Sequence, residues 1–285
     1  MTAKKKKAGT EVVVYTPAEQ QVLDQLAKEA EELGGGFSGP NSLTLNIKGK
    51  DKSGNKVPIG GWKVSTPEGD KYYDGEILFR PIEWVKLYKR FVEKDSGWDL
   101  EAWTKYFKDN RRDDMKDTQG TEGLNRIPGP KTDAEKKAER AKGEQYTDYF
   151  GIVTFPDTGE EFPVRYSTRG TKQFTIENAM KAVPGGMSKY LLFNFKINTF
   201  QPDDVTYWDI TVVPDLAGGE LPISPILEFK KDTAEFIKLH NDQVEEKYRV
   251  ANGDALGEDL AANANIVDVT PDEDLADTLS DEIPF

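Results

Sequence analysis

Short stretches in which apolar and polar residues alternate strictly recur along this chain, and they restrict it to a fold built mainly from half-buried strands. Leu43, Leu45 and Ile47 alternate with polar partners, as do Leu191, Phe193, Phe195 and Ile197, and later Trp208, Ile210 and Val212. A period of two puts all the apolar members of a segment on one face. Further strands are expected at Val57 to Ser65, Glu76 to Phe91, Tyr146 to Phe155 and Glu161 to Thr168. The last two are joined by Pro156-Asp157-Thr158-Gly159, which has the composition of a hairpin turn.

Helical signals are fewer. Thr16-Pro17-Ala18-Glu19 reads as a capped start, with Val22, Leu26 and Leu33 on one stripe and Gly34-Gly35-Gly36 as the stop. Leu100, Trp103 and Phe107 have helical spacing within Ser96 to Asn110. Thr175 to Val183 and Asp232 to Val250 complete the set. Asp109 to Gln145 is charged and poor in apolar residues, so it reads as an exposed insertion, partly helical around residues 134–142. Residues 1–15, with Lys4 to Lys7, read as a flexible basic arm. Residues 16–250 then form the folded domain and 251–285 a disordered acidic tail. Several twisted strands with one short helix between late strands suit an OB-fold-like Greek-key barrel with long insertions. An open α+β sheet fits the same periodicity.

The composition removes several classes of function. The chain has no cysteine, so disulfides and thiolate metal sites are excluded. With His240 as the sole histidine, no metal site is expected, and a reducing cytoplasm suits the chain. No apolar run is long enough to span a membrane, and the basic N-terminus lacks the apolar core of a signal peptide. Phosphate-loop, nucleophile-elbow and H-E-x-x-H patterns are absent, so no enzyme, cofactor or catalytic residue is expected. His240, near Phe236 and Val244 on a helix, reads as a packed residue.

The net charge of −13 at first argues against nucleic acid as a ligand. Its distribution reverses that inference. Ten of the 51 acidic residues lie in 251–285, a segment with no Lys or Arg, which leaves 41 acids against 38 bases elsewhere. The body is near balance, and overall charge is a poor guide to what its faces bind.

Binding unpaired nucleotides takes cations for phosphates and flat rings for bases. Read as a strand, Ile82 to Phe91 places Trp84, Lys86, Tyr88 and Arg90 on one side and Val85, Leu87 and Phe91 on the other. Read as a helix, the same segment buries Trp84, Leu87, Tyr88 and Phe91, with Pro81 in its first turn. Trp62, Lys63, Tyr72, Tyr73, Phe79 and Arg80 are neighbouring candidates. Arg165, Tyr166, Arg169 and Lys172 form a second cluster, and Lys196 lies opposite the apolar face of its strand. Arg111 and Arg112 close a basic segment beside Trp103 and Phe107.

The chain ends Asp281-Glu282-Ile283-Pro284-Phe285. This ending closely resembles the acidic Ile-Pro-Phe tip of bacterial single-stranded DNA-binding proteins. The resemblance implies that Phe285 and its carboxylate enter a basic-rimmed apolar pocket on a partner. Ile283 and Pro284 would touch beside it, and Asp281 and Glu282 would meet Lys or Arg at the rim. A terminal ring on an acidic tether also suits a small buried anchor with charge steering. The overall plan resembles that of phage single-stranded DNA-binding proteins: basic arm, elaborated OB core, acidic tail. In the T4-like member of that group the arm mediates cooperative contacts between neighbours, and the resemblance implies such a role for Lys4 to Lys7. The expectation is a sequence-tolerant binder of single-stranded DNA, acting in replication, recombination or repair in a bacterial host cytoplasm and recruiting partners through its tip. The competing expectations are an acidic protein-interaction factor or DNA mimic that binds no DNA, and a binder of RNA.

Overall fold

The computed structural model describes residues 40–252, apart from residues 52, 95–96, 109–115, 121–131, 133, 136–142, 204 and 206. The expected arm, the helix from Thr16, the tail with its tip, Arg111, Arg112 and most of the insertion lie outside these residues.

The described chain is mainly β. Its strands in order are β1 (Asn41–Asn46), β2 (Gly61–Thr66), β3 (Gly69–Tyr73), β4 (Ile77–Lys94), β5 (Gly97–Trp103), β6 (Glu144–Phe155), β7 (Glu160–Thr168), β8 (Phe195–Phe200) and β9 (Asp209–Pro214). Two α-helices join them, α1 (Gly170–Ala182) and α2 (Ser224–Ala251). All nine strands belong to one mixed sheet in the order β3-β2-β1-β7-β6-β4-β8-β9, with β5 on β4. Only β1 and β7 run parallel; the other ladders are antiparallel.

The expected closed barrel is not formed, because the strand order is open, ending at β3 and β9. The two flanks approach at Gly60 without pairing there. Thr199 donates its hydroxyl to the Gly60 carbonyl, and the Trp208 ring lies so close that a Cβ on Gly60 would fall 2.2 Å from it.

The strand β4 organises the molecule. At 18 residues it pairs with β6 along most of its length, and its other edge takes β8 at the start and β5 at the end. A register shift lies between Pro81 and Glu83. Proline has no N–H for a ladder, so a bulge is the natural place for it. Gly151 stands opposite Pro81, and a Cβ there would lie 2.1 Å from the Arg80 carbonyl oxygen, so only glycine permits this close bend.

One face of the sheet is the main core. Leu43, Trp62, Val64, Phe79, Tyr149, Val153 and Val164 are buried there beneath Ile176, Ala179 and Met180 of α1. Trp62 meets Tyr166 edge-on with ring centroids 5.7 Å apart, and its indole N–H reaches the Gly75 carbonyl at 3.2 Å. Each large side chain removed from water here stabilises the fold by about 1.5–3 kcal/mol. A smaller core lies on the opposite face, where Phe236, His240 and Val244 of α2 are buried and Phe236 packs on Phe150 at 5.6 Å.

Two expected helices need correction. The described part of Ser96 to Asn110 is not helical: Gly97–Trp103 is the strand β5, and Phe107 bridges Lys86 of β4. The last helix begins at Ser224 rather than Asp232, because buried Ile226 anchors an extra two turns. No helix among the described residues is long and apolar enough to cross a membrane.

Candidate nucleic-acid interface

The side chains of β1 divide between the two faces of the sheet. Leu43 and Leu45 enter the core, so Ser42, Thr44 and Asn46 must point to the other side of the sheet. Register extends this polar row to neighbouring strands. Ser42 stands opposite Ser65 on β2 and Arg165 on β7, while Thr44 stands opposite Lys63, itself opposite Tyr72 on β3. The result is a strip of hydroxyls, an amide and two cations, backing directly onto an aromatic core.

The strip is closed off in the free chain. Lys63 is 8% exposed and Arg165 5%. Thr44 is 5% exposed, and its hydroxyl has no hydrogen-bond partner among the described residues. Burying such polar surface is unfavourable unless it meets complementary groups. Two side chains of the strip meet this need locally: the Asn46 amide donates to the carbonyls of Lys48 and Pro58, and the Ser65 hydroxyl donates to Asp70 at 2.8 Å.

At one end of the strip the β1–β2 connection forms a basic hairpin. Lys50 and Lys56 bridge directly across it, and Lys48, Lys50 and Lys56 are exposed. Like charges facing one another oppose the hairpin, so other groups must hold it. Asp51 Oδ1 accepts from the backbone N–H of Ser53 at 2.9 Å and Asn55 at 2.7 Å, and Oδ2 accepts from the Asn55 amide at 2.8 Å. The hydrogen bond from the Asn55 side chain, helped by the backbone donors, keeps the Asp51 carboxyl below its ordinary range. Gly54 supplies the left-handed corner at φ +85°. The lysines are therefore displayed on a turn that is stabilised independently of them.

At the other side of the strip, Arg165 touches a buried polar network beneath α2. Asp148 is fully buried and accepts from the Tyr106 hydroxyl at 2.6 Å and the Ser167 hydroxyl at 2.5 Å. The Lys89 ammonium donates to Ser167 Oγ at 2.9 Å and lies 4.0 Å from Asp148, and Arg165 Nε lies 4.0 Å from the other carboxylate oxygen. Burial pushes the Asp148 carboxyl up, but Lys89, Arg165 and the two hydroxyl donors outweigh it and hold the group below its usual range. Burial, reinforced by Asp148, pushes the Tyr106 hydroxyl well up. The Arg165 guanidinium lies 5.8 Å from the Phe236 ring, which links the strip to α2.

His240 completes the layer under the helix. Its Nε2–H donates to the Thr104 carbonyl at 3.1 Å, and its ring lies 4.2 Å from that of Tyr106. Burial lowers its pKa to about 4; Arg165 and Lys89 also disfavour the charged ring, while Thr104 and Asp148 favour it. With the folded value depressed, the contribution of His240 to stability is complete above about pH 6.5 and is lost as the pH falls toward 4. By pH 5 the expected loss is about 2 kcal/mol. Urea denaturation should show this extra loss between pH 7 and pH 5 in the natural chain and not in His240→Gln. Equal losses in both would remove His240 as the cause.

The residues expected from sequence divide sharply. Lys63, Tyr72 and Arg165 come together on the strip side. Trp62, Phe79 and Tyr166 are core residues, and Tyr73 stacks on Phe155 at 3.6 Å, so none offers a free ring face. The side of β4 carrying Trp84, Lys86 and Tyr88 is the core side, since Trp84 stands opposite Tyr149. Trp84 packs against the core, Lys86 lies 5.7 Å from its ring, and Tyr88 stacks on Phe107. Arg80 is tied to the carbonyls of Leu191 and Pro222 at 3.0 and 2.8 Å. Arg90 pairs with Glu101 and Asp117, Arg169 with Glu144 and Lys196 with Asp215. Lys172 is half-buried on α1. Sequence reasoning missed Ser42, Thr44, Asn46, Ser65 and the hairpin lysines. The signal for the first three was available, as the polar half of the alternation that identified β1.

Among the described residues no cluster of three His, Asp or Glu is placed to hold a metal ion. A comparison of the chain with protein-family models, with curated proteins and with solved structures finds no match.

Proposed function

We propose that this chain binds single-stranded DNA along the polar strip of β1, β2 and β7, with the basic hairpin as its first contact, and that the terminal Asp281–Phe285 sequence recruits partner proteins of replication, recombination or repair. The observation that carries the reading is the polar side of β1, where Ser42, Thr44 and Asn46 stand among Lys63 and Arg165 and run on to the exposed hairpin lysines. Because Lys63 and Arg165 are nearly buried in the free chain, binding is coupled to opening of the strip. No catalytic step or cofactor is involved. We read the sheet as an opened variant of the OB type, on account of the long bulged β4 shared by two sets of partners and the helix between β7 and β8. Backbone NOEs that showed no pairing of Ser42 with Arg165 would remove that fold reading.

Fluorescence anisotropy with labelled oligo-dT at two salt concentrations tests the function. Affinity should fall as salt rises, with the logarithmic slope reporting the number of phosphates contacted. Lys63→Gln should weaken binding about threefold to tenfold and reduce that slope by about one. Duplex and RNA competitors of equal length should displace the strand less well than DNA oligonucleotides. A different reading, an acidic factor that binds proteins and no DNA, draws on the net charge of −13 and the burial of the strip cations. Absence of any oligonucleotide binding at low salt, with or without residues 253–285, would favour it.

A further inference from the structure

The open sheet ends in two edges that differ in kind. The edge strand β3 carries Asp70 and Lys71, and charge along an edge discourages the pairing of another strand. The edge strand β9 reads Asp209-Ile210-Thr211-Val212-Val213-Pro214, and the four residues between its ends are uncharged β-formers. Hydrogen-bond direction decides which backbone groups of β9 face outward. The Asp215 N–H donates to the Asn194 carbonyl at 2.8 Å, in line with the β8–β9 register. Direction alternates along a strand, so Asp209, Thr211 and Val213 point at β8, while Ile210 and Val212 point away from it. Two of the outward groups are used locally. The Ile210 N–H donates to Asp209 Oδ1 at 2.8 Å, and the Pro214 carbonyl accepts from the Leu216 N–H at 3.1 Å. The outward N–H and C=O of Val212 meet no partner among the described residues.

The side chains around this point are apolar and exposed. Val213 is 53% exposed, and Leu216, just past the strand, 52%. The Thr171 hydroxyl donates to Asp209 Oδ2 at 3.2 Å, which fixes the first turn of α1 at the start of β9. Phe174, one turn on and on the same side of that helix, is 61% exposed.

We infer that the β9 edge pairs with the β9 edge of a second copy of this chain, antiparallel about a two-fold axis at Val212. An edge whose free donor and free acceptor belong to one residue is self-complementary there. Val212 of each copy donates to and accepts from Val212 of the other. Thr211 then stands opposite the partner's Val213, a cross-strand pair of β-branched residues. Antiparallel pairing brings the start of each β9 to the end of the other, so Phe174 of one copy and the partner's Leu216 gather at each end of the ladder. The strands β1 and β2 lie toward the other end of the strand order, so the pairing stands whether or not DNA is the ligand.

Light scattering behind gel filtration, on the full-length chain at 100 µM, should give twice the mass of one chain. Thr211→Lys with Val213→Lys sets ammonium groups against each other across the ladder and should give a monomer. Thr211→Lys with Val213→Glu sets opposite charges face to face and should restore the dimer. Both positions are exposed, so both double variants should keep the melting temperature of the natural chain. The register has its own test, because the chain has no cysteine. The paired Thr211 and Val213 positions have Cα atoms about 4.5 Å apart, within disulfide reach. Thr211→Cys and Val213→Cys chains, mixed and oxidised, should therefore join mostly as the mixed dimer. A monomeric natural chain at 100 µM, a dimer that survives the two lysines, or one that the Lys–Glu pair does not restore would overturn the inference.

Discussion

Removing residues 253–285 is expected to raise the affinity for oligo-dT at 50 mM salt by at least about tenfold, with the gain shrinking as salt rises. The deleted segment contains all ten of the acidic residues that follow Ala251, and no base. It is joined directly to the end of α2, the helix that packs on the sheet beside Arg165. An anionic segment tethered there competes with an anionic ligand for the same cations at high effective concentration. Both interactions are largely ionic, so both weaken with salt, and the difference between full-length and shortened chains should narrow to about threefold by 300 mM. Anisotropy titrations of the two chains across four salt concentrations read this directly. Removal of Asp281–Phe285 alone should give a smaller gain, because only two of the ten charges are lost, while abolishing partner recruitment. If the shortened chain binds no better than the full one at low salt, competition by the tail is wrong. The proposed strip would still be tested by Lys63→Gln.

The strands were legible where local alternation and final burial agree. Tyr146 to Phe155 and Glu161 to Thr168 were expected within two residues of β6 and β7, since each carries its own pattern and a glycine-containing turn joins them. The segment around Ile82 was legible as a strand or a helix, and pairing along β6 decided it. Which of its faces would be buried was not legible. Without an extra residue, Trp84 and Lys86 would share a face with Leu78 and Arg80. The bulge at Ile82 shifts the parity, so that they follow Ile77 and Phe79 to the core side. Both faces are thereby covered: Val85 and Leu87 are buried as expected, and Trp84 and Lys86, turned toward the main core, are half-buried. The misreading of Ser96 to Asn110 has a similar cause: Leu100 and Trp103 look helical by spacing, but the far end of β4 offered an unpaired edge, and long-range pairing overrode local pattern. Lys63 and Arg165 were visible as cations, yet their meeting across β1 depends on a parallel β1–β7 pairing that no local signal announces.

Asp148→Ala should be the most damaging single substitution in the domain, costing about 3–5 kcal/mol of folding stability at pH 7. The carboxylate stands in the centre of the sheet, where Val85 on β4 and Ser167 on β7 are its cross-strand neighbours. Its removal takes away the carboxylate that lies 4.0 Å from the fully buried Lys89 ammonium, which keeps the Ser167 hydroxyl at 2.9 Å. It also strips the Tyr106 hydroxyl of its acceptor, and Tyr106 holds the segment that bonds to His240 and Asn241 of α2. Lys89→Met added to Asp148→Ala should recover at least half the loss, because a buried charge costs most when its partner alone is removed. Urea denaturation of the single and double variants measures both. A loss under 1 kcal/mol for the single variant would show that the network is incidental. The pH dependence separates this network from His240. Asp148 has a depressed folded pKa, so its contribution is complete above its ordinary value of 3.8 and is lost only as the pH falls below it. Between pH 7 and pH 5, therefore, the natural chain should weaken through His240 alone of these two. Arg165, held by the same carboxylate, ties the outcome to function: at a temperature where Asp148→Ala remains folded, its affinity for oligo-dT should also fall, since the guanidinium has lost the group that fixes it at the edge of the strip.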